Sequence, residues 1–374
     1  MQTDMVKMKQ NSESSATITP YELWRRMGPD EKLEIIDVRE PDEYEGWHIE
    51  SSMNMPVSTL SGVPIQSIVP KDKEIVTVCA HGVRSEFARR LFSSYGYRVR
   101  TMEGGMVAWN AVYDIAAVPC SVRGVKVLQV RRVGKGCMSY IIISGERAAV
   151  IDPTIDMETY LEAAEGNKIV AVLDTHAHAD HVSGGKELAL AETAPYYAPD
   201  EVGNIQHETV REGSEITAGE ALIRVVSTPG HTPHSVTYLL GNLAFTGDTL
   251  FVESVGRPDL GQDAIKHAPV LWESVHNKIL SLPAETTILP AHYGSGVRLE
   301  KGVPVAKTIG QLKSELKPLK MPRKDFVSWI EANTMPKPGN FETIKRINTG
   351  EMEIPDIEEI RELEAGPNRC AVSV

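Results

Sequence analysis

Thr175-His176-Ala177-His178-Ala179-Asp180-His181 places four metal-competent side chains within six positions. Ahead of it, Lys168-Ile-Val-Ala-Val-Leu-Asp174 is a short apolar run that predicts a buried strand. Behind it, Ser183-Gly184-Gly185 leads into a helical stretch from Lys186. The cluster therefore belongs on a loop at the carboxyl end of a strand, where open α/β sheets place their chemistry. Imidazole and carboxylate are ligands for borderline first-row metals. Three further strings repeat the arrangement. Thr228-Pro-Gly-His231-Thr-Pro follows a strand-like run at 221–227, Thr246-Gly-Asp248-Thr-Leu one at 242–245, and Leu289-Pro-Ala-His292-Tyr one at 286–289. Each candidate ligand ends a strand, so several strands can converge on one point.

This series resembles the metallo-β-lactamase-fold superfamily, in its glyoxalase II-like branch, over residues 122–296. The resemblance implies an αββα sandwich, which the strand-like runs 125–130, 138–144 and 147–152 would begin. His176, His178, Asp180, His181, His231, Asp248 and His292 are the set a two-zinc hydrolase would use, with Asp248 bridging. Gly256-Arg257-Pro258-Asp259-Leu260-Gly261 follows soon after Asp248. With the fused N-terminal domain described next, it resembles the persulfide dioxygenases of the superfamily. That resemblance implies one Fe(II) per chain on His176, His231 and Asp248. A two-histidine, one-carboxylate face leaves room for water, O2 and a persulfide sulfur. His178, Asp180, His181 and His292 would then orient the ligands; two zinc ions are the alternative. The same resemblance implies that Arg257 and Asp259 face a glutathione moiety. Arg257 would grip a carboxylate as a bidentate fork, or pair structurally with Asp259. Glyoxalase II commonly carries P-G-H-T-P-G-H; here Pro229-Gly-His231-Thr-Pro-His234-Ser brings the second histidine one place early, which favours the dioxygenase. His234 reads as a polar or surface residue.

The N-terminal part alternates strands and helices, implying a parallel α/β sheet. Thr19-Pro20-Tyr21-Glu22 combines an N-cap, a first-turn proline and a Glu three residues on. Strands are expected at 33–39, 74–79 and 99–102, with a helix over 86–95 and another opening at 103–109. The strand at 74–79 runs straight into Cys79-Ala80-His81-Gly82-Val83-Arg84-Ser85. A cysteine at a strand end, before a Gly-containing loop that opens a helix, faces backbone N–H groups and a positive helix end. Arg84 adds charge, and such surroundings favour a thiolate. This loop, with Asp37-Val-Arg39-Glu-Pro-Asp-Glu-Tyr44 and Gly104-Gly105 through Trp109, resembles rhodanese over residues 17–114. The family's Gly-His-Ile-x-Gly is Trp47-His48-Ile49-Glu50-Ser51 here. The resemblance implies that Cys79 carries sulfane sulfur as a persulfide, with Arg84 as its catalytic partner and Ala80, His81, Gly82 and Val83 around the substrate.

The 374 residues suit several domains. We expect a disordered tail at 1–16, a rhodanese-like domain at 17–114, a linker at 115–121, the sandwich at 122–300 and a helical extension at 301–374. A net charge of −12 argues against nucleic acid or an anionic membrane as partner. No apolar run reaches the length of a membrane span, and the N-terminal residues lack a signal sequence. Cys79, Cys120, Cys137 and Cys370 show no C-x-x-C spacing, so a reducing cytoplasm is expected. Cys137 reads as packing and Cys370 as a thiol without function; Asp152 could orient a ligand or cap a turn. The two resemblances together imply a bifunctional, homo-oligomeric sulfur enzyme. It would oxidise glutathione persulfide with O2 to sulfite and thiol. Cys79 would transfer sulfur between thiosulfate and a thiol, in a direction the residues leave open. A two-zinc thioester hydrolase with a sulfur-binding accessory domain is the alternative.

Overall fold

A computed structural model describes residues 15–62, 64–260, 264–294, 296–333 and 336–372. Most of the expected N-terminal tail, residues 1–14, lies outside them, as does Gly261. The chain divides into two compact units, one of residues up to 112 with 365–367, the other of 113–364 with 368 onward.

In the first unit β1 (Thr17–Ile18), β2 (Leu33–Asp37), β3 (Met53–Asn54), β4 (Glu74–Val78) and β5 (Val99–Met102) form a sheet in the order β1-β5-β4-β2-β3. All its pairings are parallel, as alternating strands and helices require. The connecting helices are α1 (Pro20–Arg26), α2 (Pro41–Gly46), α3 (Ile65–Ile68), α4 (Val83–Ser94) and α5 (Gly105–Trp109). Thr19 caps α1 by accepting from the Glu22 N–H, with Pro20 in the first turn. Helix α4 starts at Val83, three residues earlier than expected, so it opens immediately behind the Cys79 loop.

The second unit begins with β6 (Tyr113–Val118), so the expected linker at 115–121 is largely a strand. It pairs antiparallel with β7 (Val125–Arg132), and Ala116 and Val118 are buried while Ile115 and Ala117 face out. The larger Ile115 faces out and the small Ala116 in, so a hydrophobicity reading passes over this period of two. β8 (Met138–Ser144) and β9 (Arg147–Ile151) continue the antiparallel part. Helix α6 (Met157–Ala163) then leads to β10 (Lys168–Leu173), and α7 (Gly185–Glu192) to β11 (Tyr196–Ala198) and β12 (Glu208–Thr209), all parallel. The second sheet is β13 (Glu215–Ala218), β14 (Ala221–Ser227), β15 (Val236–Leu240), β16 (Leu243–Gly247), β17 (Thr287–Pro290) and β18 (Lys307–Thr308), in that order.

The parity of β8 shows how the layers form. All seven residues are buried, but Tyr140 and Ile142 join the cluster between the sheets, while Ile141 and Ile143 join one under α6 and α7. Tyr238, Phe245 and Leu289 come up from the other sheet into the same central cluster. Behind that sheet, α8 (Ala264–Glu273), α9 (Ile309–Glu315) and α10 (Arg323–Ala332) bury Leu271, Leu312 and Phe326. The result is the αββα sandwich. Helices α11 (Phe341–Asn348) and α12 (Ile357–Leu363) complete the expected extension, except that β18 pairs with the sheet and the last described residues run extended. Among the described residues no helix is long and apolar enough to cross a membrane.

Candidate active sites

The strand ends of the second unit converge as the spacing requires. His176 follows β10, His231 follows β14, Asp248 follows β16 and His292 follows β17. His176 Nε2 lies 3.6 Å and His231 Nε2 3.5 Å from Asp248 Oδ2. These three donor atoms fall within 4.8 Å of one another, and all three residues are buried. The outer ring nitrogens are tied back. His231 Nδ1 is 2.9 Å from the Arg257 carbonyl, which can only accept, so this nitrogen carries the proton. His176 Nδ1 is 2.9 Å from Thr175 Oγ1, whose hydroxyl donates to Asp152 Oδ2 at 2.9 Å. Both Nε2 lone pairs therefore face Asp248, and a ligating imidazole needs that tautomer. Asp248 Oδ2 is buried with no hydrogen-bond partner. A buried carboxylate oxygen left so is costly, and a cation between the three atoms would satisfy it. Burial pushes the His231 imidazole down to about 4, keeping it neutral. Burial alone would raise the Asp248 carboxyl; the facing His292 ring holds it well below its usual range.

Asp152 thus orients a candidate ligand. It stands at φ 51° just after β9, a left-handed turn unusual for a residue with a Cβ. The turn aims its carboxylate at the Thr175 N–H, 2.7 Å away. Gly247 makes the approach possible, since a Cβ there would lie 2.5 Å from Thr175 Oγ1.

The remaining candidates form a second half. His292 Nδ1 lies 2.6 Å from Asp248 Oδ1 and its Nε2 2.9 Å from Asp180 Oδ2, while His181 Nδ1 is 3.1 Å from Asp180 Oδ1. Cys137 completes this group, its sulfur 3.5 Å from Asp180 and 3.6 Å from His181. His178 does not join them; its Nε2 is 3.2 Å from Asp152 and 3.9 Å from Asp174. Asp174 in turn accepts from Ser183 and Tyr196 at 2.6 and 2.7 Å.

Arg257 and Asp259, expected to face a thiol substrate, face each other. Arg257 Nε and Nη2 meet the Asp259 carboxylate at 2.9 and 2.7 Å, with the arginine only 2% exposed. The fork expected for a substrate carboxylate is taken by a carboxylate two residues away. Cys370, expected to lack function, is also buried, and its sulfur lies within 4.8 Å of Asp248 and His292 donor atoms. Residues around it pair with the metal loop: Arg257 N–H donates to the Cys370 carbonyl at 2.9 Å, Val372 N–H to the Val255 carbonyl at 3.0 Å, and Ala371 bridges Gly256.

In the first unit, Cys79 follows β4, its sulfur accepting from the Gly82 N–H at 3.1 Å and its thiol donating to Ser85 Oγ at 3.5 Å. Gly82 turns the loop at φ 100°. Gly105 lets α5 close on it, since a Cβ would lie 2.3 Å from the Cys79 carbonyl oxygen. Burial pushes the thiol up, but donors from Ser85, Gly82 and His81 outweigh it and the net shift is downward. Arg84 meets Glu43, with two contacts of 2.6 and 2.7 Å.

A Rhodanese-like domain family matches residues 19–112, and the Metallo-beta-lactamase superfamily matches residues 132–220 and 208–292. The chain joins a rhodanese-like domain to a metallo-beta-lactamase superfamily domain. The metallo-beta-lactamase unit is similar to the mitochondrial persulfide dioxygenase ETHE1 of Mus musculus, 29% identical over 214 residues that make up 54% of this chain and 80% of that protein. It is similar too to a hydroxyacylglutathione hydrolase of Methylobacterium sp. (strain 4-46), 35% identical over 156 residues, 40% of this chain and 58% of the hydrolase. Among solved structures, ETHE1 from Myxococcus xanthus covers 59% of this chain and 96% of its own, at 27% identity and a TM-score of 0.54. A metallo-beta-lactamase from Staphylococcus aureus subsp. aureus COL covers 63% and 75%, at 28% identity and a TM-score of 0.57.

Proposed function

We propose that the metallo-beta-lactamase unit oxidises a thiol persulfide with O2, and that Cys79 of the rhodanese-like unit carries sulfane sulfur as a persulfide. The observation that carries the first half is the His176, His231 and Asp248 face, with both Nδ1 protons tied off and Asp248 Oδ2 left without a partner. Two imidazoles and one carboxylate suit iron(II) with open positions. Iron there would supply the site where O2 and the persulfide sulfur meet. The reaction is RSSH + O2 + H2O → RSH + SO3²⁻ + 2H⁺, with glutathione persulfide as the first substrate to try. Similarity to the persulfide dioxygenases supports this choice. The chain's own contribution is to fix tautomers through Thr175 and the Arg257 carbonyl and to keep the donor face dry. At Cys79, the Gly82 N–H donates to the sulfur and stabilises the anion that attacks or leaves.

A two-zinc thioester hydrolase is the second reading, favoured by the buried donor set of Cys137, Asp180, His181 and His292 beyond Asp248. Anaerobic metal analysis of the purified protein separates the two. About one iron per chain is expected, with O2 uptake on adding glutathione persulfide; two zinc ions and no uptake would establish the hydrolase.

A further inference from the structure

We propose that Asn348, the last residue of α11, is a positioning residue for the metal site and holds residues 178–183 in the form that aims both halves of the donor set. The inference rests on reading His176, His231 and Asp248 as a metal face and adds what keeps that face in place. Residues 178–183 lie outside every helix and named strand, so no ladder satisfies their backbone groups. Asn348, only 5% exposed, meets three of those groups. Its Nδ2 donates to the His178 carbonyl at 2.8 Å and to the His181 carbonyl at 2.7 Å, and its Oδ1 accepts from the Ser183 N–H at 2.9 Å. Carbonyls only accept and the N–H only donates, so these partners fix which way the amide faces. The buried Glu364 adds a fourth bond, accepting from the Val182 N–H at 2.6 Å, and Arg132 pairs with the same carboxylate. Ile347 of α11 and Ile360 pack on Val182. An eight-residue helix is marginal alone, so this docking is what holds Asn348 against the loop.

The three amide contacts straddle Asp180. On one side the His178 ring stands 3.2 Å from Asp152, whose other carboxylate oxygen accepts from the Thr175 hydroxyl that meets His176 Nδ1. On the other, Asp180 faces His181 Nδ1 at 3.1 Å and His292 Nε2 at 2.9 Å, and His292 Nδ1 faces Asp248 Oδ1 at 2.6 Å. One amide therefore stands behind His176 along one path and behind Asp248 along the other. Asparagine suits the place because one small group supplies two donors and an acceptor. Leucine has the bulk and none of the bonds. Aspartate has the shape, but sets an oxygen against two carbonyl oxygens.

The test uses the full chain, freed of metal and kept without oxygen. Iron(II) affinity is read by competition with a chelator. Cobalt(II) is read by its visible absorption, whose band positions report ligand geometry. Asn348→Leu and Asn348→Asp should weaken both metals about ten- to a hundredfold, the range for loss of a group that orients ligands. At saturating cobalt the bands should also shift. Asn348→Ser, smaller and open to water, should move the same way by a smaller factor and covers the case in which the other two fold poorly. Ile344→Val, one turn earlier on the same face of α11, trims a buried methyl group and breaks no hydrogen bond. It should lower stability in urea and leave affinity and bands as in wild type. Wild-type affinity and bands in every folded Asn348 variant, or an equal loss in Ile344→Val, overturns the proposal. A wild-type chain that binds neither metal overturns the metal-face reading itself, and this proposal with it.

Discussion

Thr175→Val tests how the metal face is held. The side chain keeps its shape, so no cavity opens, but the hydroxyl that bridges Asp152 Oδ2 and His176 Nδ1 is gone. A buried donor or acceptor stripped of its partner costs about 1–3 kcal/mol. Two such groups are exposed to that loss here, and part of it falls on the protein whether or not metal is bound. The share that falls on metal binding is the freedom of the His176 ring to turn or change tautomer. Loss of a group that orients a ligand weakens metal affinity about ten- to a hundredfold. Thr175→Ser keeps the oxygen and should bind within about threefold of wild type, about 0.7 kcal/mol. Anaerobic titration of iron(II) against a competing chelator gives the affinities, and urea unfolding of the metal-free proteins gives the stability cost separately. Equal affinity in the Val and Ser variants would refute the idea that Asp152 acts through Thr175.

Cys79→Ser should abolish sulfur loading, while O2 uptake with ready-made glutathione persulfide survives; loss of that uptake with iron intact would show that the persulfide reaches iron only through Cys79. Because the Cys79 thiol is held below its usual range, sulfur loading should rise with pH along a limb whose midpoint lies below that of a free cysteine thiol. Ser85→Ala removes the Oγ that holds the Cys79 sulfur and should move that midpoint upward; an unmoved limb counts against the Ser85 contact. Arg257→Ala leaves Asp259 buried without its partner and should cost about 3–5 kcal/mol of stability in urea unfolding. Persulfides with and without carboxylates should be affected alike, and a loss confined to glutathione persulfide in a stable variant would return Arg257 to a substrate role. Alanine at His231 should empty the metal site while alanine at His181 leaves most of the iron; equal loss in both would indicate two metals.

The metal face was readable in the sequence because its donors are local or announced locally. Four sit within six residues, and His231, Asp248 and His292 each end a strand at a Gly or Pro turn. The Cys79 loop was readable for the same reason, since strand, loop and helix are contiguous. What failed to show was whatever depends on pairing across the chain. Cys137 and Cys370 lie more than two hundred residues apart in sequence, yet both sulfurs lie beside His292. The bond that holds Thr175 comes from Asp152, across the pairing of β9 with β10. Arg257 could be placed near the site from its motif, but the sequence did not say which carboxylate its fork would meet; Asp259, two residues on, was the available hint. The strand β6 was missed because alanine carries little hydrophobic signal.

The pairing of residues 370–372 with 255–257 bears on the order in which a cell can assemble this site. A ribosome makes the chain from its amino end, so His176, His231 and Asp248 emerge long before Cys370. Yet the Arg257 carbonyl that fixes His231 belongs to a segment completed only when Cys370, Ala371 and Val372 dock on it. A nascent chain stalled before Asn368 would hold all three ligands with one of them unsupported. Full support of His231 then comes only after residues 370–372 are made, and a pull on that strand would reach a candidate ligand more than a hundred residues upstream.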